Sequence, residues 1–232
     1  MFTITVFTND NNLFLLPGFM HQLNKHWNNP PLVKFVGFNP PDRMPFDNYL
    51  FMSMSKRNYP VKEWSNQIID YYTHSGTEFD LIMLEDYWLN EDIIFNDFGY
   101  FASYMHAHPE ILRIDLSGDR ASHTRKHVIN LQEMYPLIET NKSTPYQMSF
   151  QAAIWNIKNL LKVMKPGENP WQSEIEGSTR LKEDPKFSDL RVLGVEYKVI
   201  KYTPIYRSKK KEYQIGKLSW EDKEELWAKG YL

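Results

Sequence analysis

Two adjacent carboxylates, Glu85 and Asp86, end the stretch Leu81-Ile82-Met83-Leu84-Glu85-Asp86. Four apolar residues in a row read as a short buried strand, and ligands of open α/β sheets gather at the carboxyl ends of strands. Paired acids at such a point suit a hard divalent cation, Mg²⁺ or Mn²⁺, which takes oxygen ligands and often shares them with substrate phosphates. The same two residues also suit a solvated turn that opens the next segment.

Three further segments carry side chains that could do chemistry. Thr8-Asn9-Asp10-Asn11-Asn12 follows the first apolar run, Ile4–Phe7. Small polar groups and free backbone N–H at such a turn can hold a nucleotide base or ribose, or simply cap a helix. The segment Pro145–Trp155 offers Tyr146, Gln147 and Gln151 to a hydroxyl-rich ligand, with Trp155 better suited to the core. Pro166–Gly177 reads as a turn-rich loop that presents Trp171 and then Glu174 and Glu176. In an extended chain that spacing puts both glutamates on one side; on a helix it separates them by about 200°. Either could serve as a general base, and both also suit an acidic solvated loop.

Other signals are weaker. His123 and His127 are four apart, but no HExxH motif accompanies them. The glycine fingerprint of dinucleotide folds, the lysine-bearing phosphate loop and GxSxG are missing. Arg207–Lys211, Lys142 and Arg125-Lys126 are basic sites that could meet phosphates or water alone.

These residues need elements to position them. Ile4–Phe7, Leu32–Phe38, Leu50–Met54 and Leu81–Leu84 read as strands. Pro17 opens a helix with Met20, Leu23 and Trp27 on one face, and Trp64, Ile68 and Tyr72 mark another over Lys62–Thr73. A third is expected over Glu91–Ala107, stopped by His108-Pro109. Strands alternating with helices indicate a largely parallel sheet. Farther on, Ile111–Leu116 reads as a strand and Gly118–Thr144 as a mobile or inserted polar segment. A helix is expected from Ile154 to Met164, a strand or hairpin over Arg191–Thr203, and an acidic helix around Glu221–Trp227.

The 232 residues suffice for one substantial domain, and no boundary, repeat or low-complexity linker divides them. A net charge of −2 argues against a generally basic nucleic-acid coat. With no cysteine, disulfides and thiolate metal sites are excluded, which fits a reducing cytoplasm. Neither a signal-peptide pattern nor a membrane-spanning stretch is evident, so a cytoplasmic protein is expected.

Thr8-Asn9-Asp10 after strand one, Leu84-Glu85-Asp86-Tyr87-Trp88 after a later strand and a downstream Glu-x-Glu together resemble a GT-A type glycosyltransferase. With Leu15–Phe19, Leu112–Leu116, Tyr146–Trp155 and Pro170–Gly177, they resemble more closely a little-described group of bacterial and phage proteins of that kind. The resemblance runs from residue 3 to about 203. It implies a GT-A-like, Rossmann-type α/β fold, a mostly parallel sheet flanked by helices. Residues 1–116 would form the nucleotide-sugar half and 117–232 the acceptor half of one domain.

It further implies a nucleotide-sugar donor contacted by Thr8, Asn9, Asp10, Glu85 and Asp86, with Asp10 near the nucleoside. Asp86, assisted by Glu85, falls where the family carries its metal-binding acids for Mn²⁺ or Mg²⁺. The family motif has two aspartates flanking one residue, whereas here the acids are adjacent, which bears on whether both ligate. Glu176, or else Glu174, would deprotonate the acceptor. Trp88 and Trp171 would exclude water and stack on sugar or base, beside Tyr146, Gln147 and Gln151 on the acceptor. The acceptor would be a glycan or, as phage members suggest, a hydroxymethylated cytosine in DNA receiving arabinose or glucose. A phage-encoded member would work in the host cytoplasm. An inactive binding module of the same fold is the alternative outside enzymes.

Overall fold

A computed structural model describes residues 3–54, 59–93, 95, 97–123, 125–129, 135–207 and 213–232, with the backbone course alone for 125–129, 206–207 and 213–214. Strand β1 (Ile4–Phe7) leads through a short 3-10 turn into helix α1 (Leu16–His26). Then come β2 (Val33–Gly37), β3 (Tyr49–Ser53), α2 (Trp64–Ser75), β4 (Phe79–Leu84) and β5 (Tyr87–Leu89). The middle of the chain forms α3 (Phe98–Ala107), β6 (Ile111–Asp115), β7 (Arg125–Ile129), β8 (Leu137–Thr140) and β9 (Ala153–Asn156). It ends with α4 (Ile157–Val163), α5 (Pro170–Glu183), β10 (Arg191–Val195), β11 (Tyr202–Pro204) and α6 (Trp220–Ala228).

Nine strands form the central sheet in the order β3-β2-β1-β4-β9-β6-β10-β8-β7. Strands β8 and β9 run against their neighbours, and the other pairings are parallel. Each strand divides its side chains between two cores, as period-two geometry requires. Ile4, Val6, Leu81 and Met83 pack on one face with Phe19, Leu23 and Trp27 of the α1 region. Phe7 and Ile82 pack on the other with Ile68 and Tyr72 of α2, Leu160 of α4 and Leu181 of α5. Fully burying one such side chain stabilises the fold by about 1.5–3 kcal/mol.

Helix α1 lies close to β5 because Gly18 leaves room for the Trp88 ring. A methyl group at Gly18 would come within 2.0 Å of Trp88 Cη2.

Several expectations need correction. The segment 118–144 is not merely a mobile or inserted stretch: it contributes β7 and β8 to the main sheet, where Leu137 and Ile138 are fully buried. The loop expected over 166–177 becomes helical at Pro170. Asn169 accepts from Gln172 N–H and Gln172 accepts from Asn169 N–H, a capping box with proline in the first turn. Ile154 belongs to strand β9, and the helix begins only at Ile157, capped by Asn156. Helix α3 starts at Phe98, where Asp97 caps it, rather than at residue 91. The late strand is two: β10 joins the central sheet, while β11 pairs with β5.

Candidate active site

Strands β1 and β4 are parallel neighbours in a register that sets Phe7 beside Leu84. Thr8-Asn9 and Glu85-Asp86 therefore leave the same edge of the sheet side by side. Gln67, buried on α2, secures this edge by donating to the carbonyls of Thr8 and Val36. Asp10 accepts from the backbone and side-chain N–H of Asn39, which ties the first turn to the end of β2. Asn12 reaches back across the turn and donates to Glu85 Oε1 at 2.5 Å.

Helix α5 brings the third acid. Glu174 Oε1 accepts from the Phe150 N–H at 2.7 Å, which fixes the carboxylate beside the chain that enters β9. Phe150 stacks on Trp155 and meets Trp64 edge-on. The result is a cleft of about 390 Å³ lined by Asn9, Asn12, Glu85, Asp86, Tyr87 and Glu174, with Trp64, Phe150 and Trp171 as aromatic walls. An adjoining hollow of about 580 Å³ is lined by Asn9, Asp10, Asn11, Tyr59 and Val61. Together they form a path along the sheet edge from the first turn to the acids.

The site is electrostatically unsettled. Burial, reinforced by the charge of Asp86, pushes Glu85 up to about 8. Burial also raises Asp86 to about 6. Glu174 is raised by burial, against the Phe150 N–H and the Arg113 charge, which favour its ionised form. Adjacent carboxylates withdrawn from water resist sharing two negative charges. Asp86 Oδ1 is buried and has no hydrogen-bond partner. That orphaned oxygen, together with a neighbouring carboxylate, fits a cation that takes its remaining ligands from phosphate and water. Among the described residues no group of three or more His, Cys, Asp or Glu could hold a metal by itself.

Of the residues singled out from sequence, Asn9, Glu85, Asp86, Trp171 and Glu174 line this cleft, and Asp10 lines the adjoining hollow. Thr8 is buried beneath the turn. Glu176 faces solvent on the opposite side of α5, the consequence of helical rather than extended geometry. Trp88 is fully buried against α1, and its indole donates to the Glu85 carbonyl, so neither ring face meets the cleft. Gln147 is also buried, with its amide spent on Thr140, Asn141 and Thr144. Lys142 donates to the Phe187 and Ser188 carbonyls.

Gln151 lines a second cleft of about 290 Å³ with Asn90, Ser117, Lys198 and Lys217. The stacked rings of Tyr87 and Tyr202, 4.3 Å apart, stand between the two clefts. Tyr146 lies in neither. The side chains of Arg125, Lys126, His127 and Arg207, and residues 208–211, fall outside the described residues.

Sequence reasoning named Asn12 only within the polar run after β1, quoted Tyr87 and Phe150 without giving them a role, and missed Trp64 as a lining residue. Tyr87 directly follows Asp86, Trp64 comes from α2, and Phe150 arrives through the placement of β9 beside β4.

No protein-family model and no curated protein matches the chain. Solved structures do. S. aureus TarS 1–349, determined in complex with UDP, matches at a TM-score of 0.50 and 15% identity over 88% of this chain. The match takes in 60% of the TarS chain, so this protein spans three fifths of that length. An apo UDP-glucose pyrophosphorylase (TM-score 0.42, 10% identity, 88% of this chain and 93% of that one) is more distant. So is the bifunctional glycosyltransferase WbbM (0.40, 9%, 78% and 37%). The sheet order and the TarS likeness agree with the fold that the motifs imply: a GT-A-like α/β domain with a mostly parallel sheet flanked by helices.

Proposed function

We propose that this chain is a nucleotide-sugar-dependent glycosyltransferase whose donor lies along the edge of β1 and β4. The observation that carries the proposal is the convergence of Asn9, Glu85, Asp86 and Glu174 on one cleft from three separate parts of the chain. The TarS structure, with UDP bound, has the same fold. The hollow beside Asp10 suits a nucleoside, and the acids suit the diphosphate through a divalent cation. A cation held by Asp86 and Glu85 would offset the negative charge that develops on the departing nucleoside diphosphate.

The other steps belong to the chain itself. Glu174 takes the proton from the acceptor hydroxyl as that oxygen attacks the anomeric carbon. Burial raises its proton affinity, which strengthens it as a base. Trp64, Phe150 and Trp171 keep water from the transferring sugar. The acceptor approaches from the second cleft, past Tyr87 and Tyr202, where Gln151 and Ser117 offer polar contacts.

UDP with Mn²⁺ should raise the melting temperature, and UDP alone should raise it less. UDP-sugar turnover should follow once an acceptor is supplied. A melting temperature that ignores every nucleotide sugar tested, with and without Mn²⁺, would remove the donor site and leave the inactive binding module. Assaying glycans and hydroxymethylated duplex DNA side by side separates the two acceptor classes, because affinity for DNA falls steeply with salt.

A further inference from the structure

A further cavity, of about 360 Å³, opens on the flank of α5 away from the transfer cleft. Its walls include Tyr146, Ile175, Thr144, Ser178 and Thr179. Tyr146 is the unusual member. Its φ of 56° is left-handed, a region that glycine or asparagine enters at much lower cost than a bulky residue.

Two buried arginines hold it there. Arg113 donates to the carbonyls of Tyr146 and Gln147, and Arg120 donates to that of Pro145. Both guanidinium groups are fully buried, an expensive way to turn three successive carbonyls inward. The ring is thereby turned outward and stays half exposed. Ile175, equally exposed, forms the apolar wall on α5.

The chemistry of this cavity is aromatic, aliphatic and hydroxylic. Of the two cations among its described lining residues, Lys142 is bonded to two carbonyls, and Lys182 lies exposed 3.9 Å from Glu183. A polyanion such as duplex DNA calls for many cations side by side, and the described residues lining this cavity include two. A sugar ring presents an apolar C–H face to an aromatic side chain and hydroxyls to Ser and Thr. We infer that Tyr146 and Ile175 form a carbohydrate subsite outside the transfer cleft, which holds a neutral sugar unit of a glycan. If the proposed transfer activity is correct, that glycan is the acceptor. The subsite itself rests on its own geometry.

The test is saturation-transfer NMR of the intact protein with maltohexaose, chitotetraose and xylohexaose. At least one should bind at millimolar concentration. Tyr146→Asn keeps the left-handed backbone and removes the ring, and Ile175→Asp changes the opposite wall. Each should weaken binding by about tenfold or more, while Tyr146→Phe should retain it. Tyr146→Asn should melt no lower than the wild type and keep its response to UDP and Mn²⁺, so failure here is distinct from failure of the donor site. The inference is overturned if none of the three sugars binds, or if Tyr146→Asn binds as the wild type does.

Discussion

Glu174 and Glu176 differ by two positions and by everything around them. One accepts a backbone N–H inside a cleft; the other faces water. Glu174→Gln keeps an oxygen for the Phe150 N–H, so it should fold normally while transfer falls about 10²–10⁴-fold. Glu176→Gln should leave the rate unchanged, and steady-state assays of the two variants compare them directly. The acids on β4 and its following turn make a second prediction. Asp80, Glu85 and Asp86 have folded values raised to about 6, 8 and 6 from 3.8, 4.5 and 3.8. The folded chain therefore binds more protons than the unfolded chain between about pH 4 and 8, and stability falls as pH rises through that window. The melting temperature without ligand should drop from pH 5 to 8. Glu85→Gln should flatten the part above pH 6. A curve that stays level or rises would contradict the burial of these groups.

At the scale of elements, the site depends on two packing decisions. Gly18 lets α1 close on the buried Trp88, which stands two residues beyond Asp86. Gly18→Ala should cost about 1–3 kcal/mol through overpacking, read as a fall in the denaturant midpoint. The capping box at Asn169 sets where α5 begins, and so which of its glutamates enters the cleft. Asn169→Ala should cost about 1 kcal/mol, and a fraying first turn should lower transfer as well as stability. The cap has a sequence signal. Asn169-Pro170 followed by Gln172 is a helix start, yet it sits in a stretch rich in turn formers, and composition concealed the local cap.

The whole molecule joins two halves of unequal legibility. The strands and helices through residue 89 follow strong periodicities, apart from the short β5. Beyond it, α3 begins late, β7 and β8 carry few apolar residues to mark them, and Ile154 of β9 falls at helical spacing from Ile157 and Leu161 of the helix that follows. Strand β9 is inserted antiparallel between β4 and β6, which brings Phe150 and Glu174 to the acids at the end of β4. A ligand spanning that junction should stabilise the molecule as a unit. UDP and Mn²⁺ at a hundred times the dissociation constant should add about 2.7 kcal/mol, and Asp86→Asn should abolish the Mn²⁺-dependent part.

From its residues alone, the chain determined an α/β domain, parallel pairing in its first half and acids at a strand's carboxyl end. These follow from local periodicity and from the chemistry of side chains near one another in sequence. Only the tertiary structure decided that Glu174 rather than Glu176 lines the cleft with Asp86, that Trp88 is a core residue and that Tyr146 lines a separate cavity. Those outcomes depend on strand order, helix rotation and close packing between segments far apart in sequence, which no local pattern encodes.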